Sequence, residues 1–514
     1  MYQVNPAAAL LPAKGGSVKK SEFPPLIERA RRAQEAWAAL PFRKRARALK
    51  KAGAYLASHI DELTETICRD TGKLPLDALS AEVLPAIMAL GYYRRKGRAF
   101  LEARRIGGGN PLMFNKRSRL LYKPYGVVGI ISPWNFPLAI PFSEVVMALL
   151  AGNAVILKTA SLTPHVGRAL EGIFTAAELP GGLFTYVEMP GKDAGPAFIG
   201  APEAPGVDKL FFTGSTAAGK ALMALAAPRL LPLVLELGGA DAAIVREDAG
   251  LDRASAGIAW AAFSNAGQSC GGVQRIIVHQ RVYKLFLEKF CALTQGLRRG
   301  IDLGTMSSLG QKQTVRRQIE TCLKMGARIA AKSGGAFFQD EKTAEAPALV
   351  LTEVKPGMPI MEEEIFGPVA AVIPAADDAE ALRIANSSCY GLSASVWSRN
   401  RRRARSLAGR INAGAVMIND HLMSHGLAET PWGGFGNSGL GRTHGEPGFK
   451  EMVKTQVLVD DILPGVKRNL FWHPYSEAVL GGIRAIVNLL SGKARQRIAA
   501  VPGVLRVFFR YWKK

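Results

Sequence analysis

Cysteine is scarce in this chain: Cys68, Cys270, Cys291, Cys322 and Cys389 are the only five among 514 residues. Their number is odd, they are scattered, and no pair has CxxC spacing. That excludes a disulfide frame and a zinc knuckle, fits a reducing compartment, and leaves no metal expected. Acidic residues are also few, 42 against 66 basic ones, for a formal charge of +24. Such an excess attracts phosphates of any kind and selects none of them. No nucleic-acid module signature is present, so that partner is not expected. No stretch approaches the roughly 20 apolar residues of a membrane-spanning helix. The opening Met1-Tyr-Gln-Val-Asn-Pro lacks a basic region followed by a long apolar one, so no secretory leader is read there. The expected location is cytoplasmic. Repeats and low-complexity segments are absent.

What is present is globular: 48% hydrophobic and 21% charged residues. The length exceeds one ordinary core, so two or three domains are expected. Fifty-four glycines and thirty prolines suggest the tight turns of an α/β fold. Apolar spacing predicts helices over 27–40, 43–70 and 79–105. Their many Arg and Lys side chains read as a solvated face. Gly107-Gly-Gly-Asn-Pro ends the pattern, and short strands follow over 119–132. From 152 the chain alternates: strands at 154–158, 184–188, 209–213 and 233–237, with helices at 164–178, 193–200 and 217–227. That order implies a parallel sheet with right-handed crossovers, which binds ligands at the carboxyl ends of its strands. A second series follows Gly238-Gly239, with strands near 242–245, 275–279, 368–373 and 415–419 and helices at 252–265 and 281–299.

Residues suited to chemistry lie at the ends of these elements. Phe263-Ser-Asn-Ala-Gly-Gln-Ser-Cys270-Gly-Gly-Val-Gln-Arg275 places a thiol among small and polar residues, where substrate and backbone N–H both come close. Taken alone, the segment favours a buried structural cysteine in a tight turn. Phe212-Thr-Gly214-Ser-Thr-Ala-Ala-Gly219-Lys220 joins a strand to a helix whose N-terminus can hold an anion. It nearly matches a nucleotide-hydrolase loop, but Ala221 stands where a magnesium-binding hydroxyl is needed. A plain turn reads equally well. Leu235-Glu236-Leu-Gly238-Gly239 ends a strand with a carboxylate that partial burial would suit to general-base work; a capping glutamate is the commoner reading. Ser132-Pro-Trp134-Asn135-Phe-Pro offers an amide for a developing oxyanion, or only a turn. Met361-Glu-Glu-Glu364-Ile-Phe366-Gly-Pro reads equally as a solvated acidic turn.

Together these segments, in this order and with Pro431-Trp-Gly-Gly-Phe-Gly-Asn-Ser438-Gly-Leu-Gly-Arg442, make the chain resemble the aldehyde dehydrogenase superfamily from about residue 24 to 462. The resemblance implies an α/β fold: a Rossmann-like dinucleotide-binding domain (1–105 and 127–236, with N-terminal helices), a second α/β catalytic domain (237–448), and small bridging strands (106–126 and 449–462) that pair subunits into a homodimer or homotetramer. It implies that Cys270 attacks an aldehyde, Asn135 holds the oxyanion of the thiohemiacetal, and Glu236 activates water on the thioester, without metal. It also implies NAD or NADP along Trp134, Lys158, Gly214, Ser215 and Gly219, with Glu364 at the nicotinamide ribose and Phe366 nearby. Two alternatives remain: a CoA-acylating member, which usually lacks the base, and a catalytically silent scaffold at a membrane surface, which loss of Cys270 or Glu236 would have favoured.

Three departures stand out. Lys158-Thr-Ala-Ser161 replaces the Lys-Pro-x-Glu of many NAD-preferring members, so no carboxylate repels a 2′-phosphate and NADP is expected to be accepted. Ala240 replaces the family's usual lysine. The tail, 463–514, is a basic extension beyond the common family length, with ten Lys/Arg against one Glu from 464 on. Val479, Leu480, Ile483, Ile486, Val487 and Leu490 recur at helical spacing, as do Val504, Leu505, Phe508 and Phe509. Arg484, Arg495, Arg497, Arg506 and Arg510 mark polar positions, and Trp472, Tyr475, Tyr511 and Trp512 add aromatics. The pattern suits either the inner face of an anionic membrane or packing on the protein itself. Membrane contact would make a hydrophobic medium- or long-chain or aromatic aldehyde plausible.

Overall fold

The computed structural model describes residues 18–107, 113–201, 204–334, 342–469 and 472–509. The N-terminal segment on which the leader reading rests lies outside them, as do most of the 107–111 break and Arg510, Tyr511 and Trp512. The chain divides into two units: residues up to 101 with 123–454, and residues 102–122 with 455–514.

The first unit holds two sheets. In the first, five strands run parallel: β1 (Val127–Ile131), β2 (Ala154–Lys158), β3 (Phe184–Tyr186), β4 (Lys209–Thr213) and β5 (Leu233–Glu236). Their spatial order is β5-β4-β1-β2-β3, and Gly439–Leu440 pairs antiparallel to β5 at the edge. Every residue of β1 and β2 is buried, so these strands read as continuous apolar runs instead of alternating ones. The chain winds outward from β1 through β2 and β3, then returns to β1's other side with β4. The crevice between β1 and β4 is therefore the topological switch point, where doubly wound sheets bind ligands.

The second sheet comprises β6 (Asp241–Val245), β7 (Val273–His279), β8 (Arg328–Lys332), β9 (Leu349–Thr352), β10 (Val369–Ala375), β11 (Ser393–Trp397) and β12 (Ala415–Ile418), ordered β8-β9-β10-β7-β6-β11-β12. Only the β8–β9 pair is antiparallel. Its core is largely aliphatic, built on Ile244, Ile276, Val350 and Val372 with Phe286 and Phe290 packed over them.

The N-terminal helices differ from expectation in three places. The helix expected over 43–70 is two, Phe42–Ser58 and Ile60–Thr71, because His59 leaves helical geometry and its ring stacks on Tyr55 at 3.9 Å. The 79–105 stretch begins as one wide π-helical turn, Leu79–Val83, continues as Leu84–Leu101, and ends as a strand, Arg104–Ile106. The basic face is not all solvated, either. Arg45 is buried and donates to the carbonyls of Leu40 (2.7 Å) and Leu150 (3.1 Å), satisfying chain ends that a helix leaves open.

The second unit contains most of a three-stranded sheet, Arg104–Ile106, Lys116–Pro124 and Val453–Asp461, in that order. Val457, Leu458 and Val459 are exposed on its edge strand. Two further helices follow, Glu477–Ser491 and Ala494–Phe508. Among the described residues, no single helix is long and apolar enough to cross a membrane.

Candidate active site

Cys270 lies in the loop that precedes β7, and the backbone there is unusual. Asn265, Ala266 and Gly267 are all left-handed, with φ of 54°, 51° and 68°. For the two non-glycine residues this costs about 1–3 kcal/mol each, and such strain persists only where the surroundings impose it. Here they do. Asn265 donates to the carbonyls of Asn135 (3.1 Å) and Gln268 (3.0 Å), and Gln268 donates back to the Asn265 carbonyl at 3.0 Å. A Cβ on Gly267 would fall 2.1 Å from the Gly367 carbonyl oxygen, so no other residue fits. The Asn135 amide, almost fully buried, donates to the Gln268 carbonyl at 3.1 Å. The amide and the cysteine loop are thus one hydrogen-bonded block.

That block rests on a pair the sequence did not single out. Lys73 and Glu82, both fully buried, form an ion pair at 2.9 Å. Lys73 also donates to the Asn135 carbonyl. Glu82, in the π-helical turn, accepts from the amides of Leu138 (2.8 Å) and Ala139 (3.0 Å), so it caps the helix Ala139–Ala151 that leaves the Asn135 loop. Nothing local in the sequence marks them, because Lys73 falls between two predicted helices and Glu82 in the first turn of the second, nine residues on. A second support is His421, also fully buried, which contacts the Gly271 carbonyl at 3.0 Å and lies 3.8 Å from Asp241.

Two cavities meet at Cys270. A tunnel of about 330 Å³ is lined by Leu84, Met88, Phe136, Trp260, Leu422 and Leu427 among others, and ends at the thiol, His425 and Trp432. On the far side lies a cavity of about 10 Å³, the room one water needs, bounded by Cys270, Glu236, Glu144, Thr213 and His444. Glu236, at the carboxyl end of β5, is 5% exposed, and neither of its oxygens has a hydrogen-bond partner among the described residues. Burial, and then the like charge of Glu144, push its carboxyl well above the usual range, with Arg442 pulling weakly the other way. Burial raises Glu144 to about 8. It lowers His425 to about 4 and His444 to about 3, so both rings are neutral near pH 7. The Cys270 thiol is pushed up by burial and then by the nearby carboxylates of Glu364, Asp241 and Glu236. It rests protonated.

The other expected residues gather mostly at the switch point. Trp134 follows β1, Lys158 ends β2, and Gly214 and Ser215 follow β4. Ser215 caps the helix Thr216–Ala226, accepting from the Ala218 amide at 3.3 Å, and its first turn presents amide donors. Lys158 is buried and its pKa lowered by that burial; Ser161 is exposed. Gly219 lies further along the same helix. It sits one turn inside the helix, its N–H already donates to the Ser215 carbonyl, and a Cβ there would meet Leu237 at 2.6 Å. The absence of a side chain there lets the helix pack against Leu237. Glu364 accepts from the Gly239 amide at 3.1 Å and is raised to about 7 by burial, while Phe366 meets Trp134 edge-on at 5.3 Å. The geometry fits a dinucleotide: helix-terminal amides for a pyrophosphate, a buried amine for hydroxyls, and a carboxylate beside the cysteine loop. Among the described residues, no group of acids, histidines and cysteines could hold a metal ion.

Ala240 is closely packed. It is 2% exposed, and its carbonyl accepts from the buried Arg275 guanidinium at 3.0 Å, which also bonds the carbonyls of Ile384 and Ala385. Nothing in the structure explains why alanine replaces the family's usual lysine here.

This arrangement, a thiol between a tunnel and a carboxylate beside a doubly wound sheet, defines a class, and comparison with known proteins gives the same one. Residues 1–458 match the aldehyde dehydrogenase family, and the chain belongs to it. It is 37% identical to the 4,4′-diapolycopene aldehyde oxidase of a Methylomonas species over 428 residues, covering 82% of this chain and 78% of that one. Among solved structures it resembles the NAD-dependent aldehyde dehydrogenase of Sinorhizobium meliloti (30% identity, TM-score 0.82, 89% of each chain). It also resembles the succinic semialdehyde dehydrogenase of Streptococcus pyogenes in complex with NADP+ (27%, TM-score 0.80, 86% of this chain and 96% of that one). The protein is an NAD(P)-dependent oxidoreductase acting on an aldehyde.

Proposed function

We propose that the enzyme oxidises a long, apolar aldehyde to its carboxylic acid by a hydrolytic route through Cys270. The observation that carries the substrate class is the tunnel lining. Among the described residues that line it, the only full cation is Lys73, already paired with Glu82, and His425 is neutral. An acidic semialdehyde would bring its second carboxylate into an apolar channel with no unspent counter-charge, which is costly. Leu84, Met88, Trp260 and Met423 are each 43–50% exposed, so apolar surface continues outward from the lining. The relative named for a diapolycopene aldehyde points the same way.

In this reading the Cys270 sulfur bonds the aldehyde carbon as its proton passes to Glu236 or to solvent. The resulting oxyanion is held by the free N–H of Asn135 and the Cys270 amide. NAD(P)+ supplies the hydride acceptor. Cys270 is left as a thioester, and Glu236 takes a proton from water as it attacks; acid and free thiol leave. Trp134, Lys158, Ser161, Gly214, Ser215, Glu364 and Phe366 would hold the dinucleotide, with NADP accepted because Ser161 presents no carboxylate. The unpartnered Glu236 beside a water-sized cavity supports hydrolysis over transfer to CoA, and over a silent scaffold.

The test is steady-state turnover over saturated and polyene aldehydes of increasing length, with succinate semialdehyde beside them. kcat/KM should rise with apolar length, by roughly 3–4-fold per methylene while the chain still gains burial. Preference for succinate semialdehyde would overturn the substrate class.

A further inference from the structure

The two tail helices, Glu477–Ser491 and Ala494–Phe508, pack on each other as an antiparallel hairpin. Small residues let the backbones approach: a Cβ on Gly482 would lie 2.5 Å from that of Val507, and one on Gly503 would lie 2.7 Å from that of Ala485. Ile486, Val504 and Val507 are buried between the helices, with Ile483, Leu489 and Phe508 against them. This seam accounts for only part of the apolar surface. A second set of large apolar side chains faces away from it. Leu480, Val487 and Leu490 lie at intervals of seven and three on the first helix. Ile498, Val501, Leu505 and Phe509 lie at three, four and four along the second, with Ile498 75% and Phe509 62% exposed. Each spacing is one helical stripe. A helix that buries one face and leaves another apolar stripe in water is unfinished.

The charges indicate what completes it. Arg484, Lys493, Arg495, Arg497 and Arg506 stand among these stripes, with Glu477 as the one acid on the hairpin. A second copy of the chain, itself at +24, would bring like charges together. Nucleic acid would satisfy the arginines and leave seven apolar side chains wet. An anionic bilayer offers hydrocarbon for the stripes and phosphate for the bases at one surface. We propose that the hairpin 477–508 is a peripheral docking element that lays its two apolar stripes into the headgroup region of an anionic membrane.

The experiment uses the full chain, sedimented with phosphatidylcholine vesicles with and without phosphatidylglycerol. Binding is expected with phosphatidylglycerol and should weaken steeply with added salt. Ile498→Glu with Leu505→Glu removes the stripe, and Arg495→Glu with Arg506→Glu reverses the charge while keeping it. Each pair should lower the partition coefficient at least about tenfold, with turnover of a short soluble aldehyde unchanged as the measure of folding. No sedimentation of the unaltered enzyme with anionic vesicles overturns the proposal. So does a stripe variant that binds as before, or one whose oligomer dissociates in buffer, which would make the stripe a subunit interface. The vesicle assay needs no substrate, so it can fail without touching the assignment of the aldehyde.

Discussion

Cys270 faces two compartments, and the proposed roles of its neighbours follow from which one each lines. Glu236 lies on the small-cavity side, so its removal should stop the second half of the reaction and spare the first. Glu236→Gln is expected to give a single burst of reduced cofactor near one equivalent per subunit, followed by turnover slowed at least about 100-fold. Rapid mixing with quantitative burst analysis checks this, and unchanged turnover would remove Glu236 from the mechanism. A base works only when ionised, and this carboxyl is held well above the ordinary range by burial and by Glu144. The rate limited by hydrolysis should therefore fall as pH drops through that raised value, on the neutral side of a normal glutamate. Glu144→Gln deletes the like charge, so the acid limb should move to lower pH; Arg442, His425 and His444 face the same carboxyl or cavity and remain. An unmoved limb would show that the two carboxyls do not sense each other.

The elements that aim these residues are less regular than the ones that carry them. The strained run from Asn265 to Gly267 is the clearest case, because its geometry holds the thiol's loop against Asn135. Gly267→Ala should lower stability by more than about 1–3 kcal/mol, from φ and from the clash with Gly367 together. Denaturant unfolding and turnover should fall together; a variant of unaltered stability would remove the claim of strain. Much of the architecture was legible along the chain, since β1, β2 and β4 are short apolar runs and the switch-point loops carry the family's motifs. Cys270, Glu236 and Asn135 stand out as candidates because their segments are conspicuous locally. Lys73 and Glu82 do not, and neither does His421: each acts through a partner distant in sequence, and local spacing holds no trace of that. The packing beside Gly219 is illegible in the sequence for a related reason. A glycine in a motif reads as a ligand contact until Leu237 is seen occupying the space beside it.

At the scale of the whole molecule, the cofactor couples to stability. A ligand at 100 times its Kd adds about 2.7 kcal/mol to the folded state. Because Ser161 leaves no carboxylate near the end of β2, NADP should raise the melting temperature at least as much as NAD. Ser161→Glu should cut the NADP response and leave that of NAD. Thermal denaturation with each dinucleotide reads this directly, and a response to NAD alone in the unaltered protein would overturn it.

The Lys73–Glu82 pair joins two properties usually selected separately. Among the described residues Lys73 is the one full cation lining the tunnel, yet it and Glu82 also hold the Asn135 loop, from the carbonyl of Asn135 to the amides of Leu138 and Ala139. A mutation that freed the lysine to greet a carboxylate would loosen the proposed oxyanion donor in the same stroke. An evolving lineage therefore cannot trade apolar for acidic substrates by single steps at this pair without passing through poor catalysts. New specificity has to enter from the rim, at positions such as Met88, Trp260 or Met423, where a side chain can change without disturbing the chemistry.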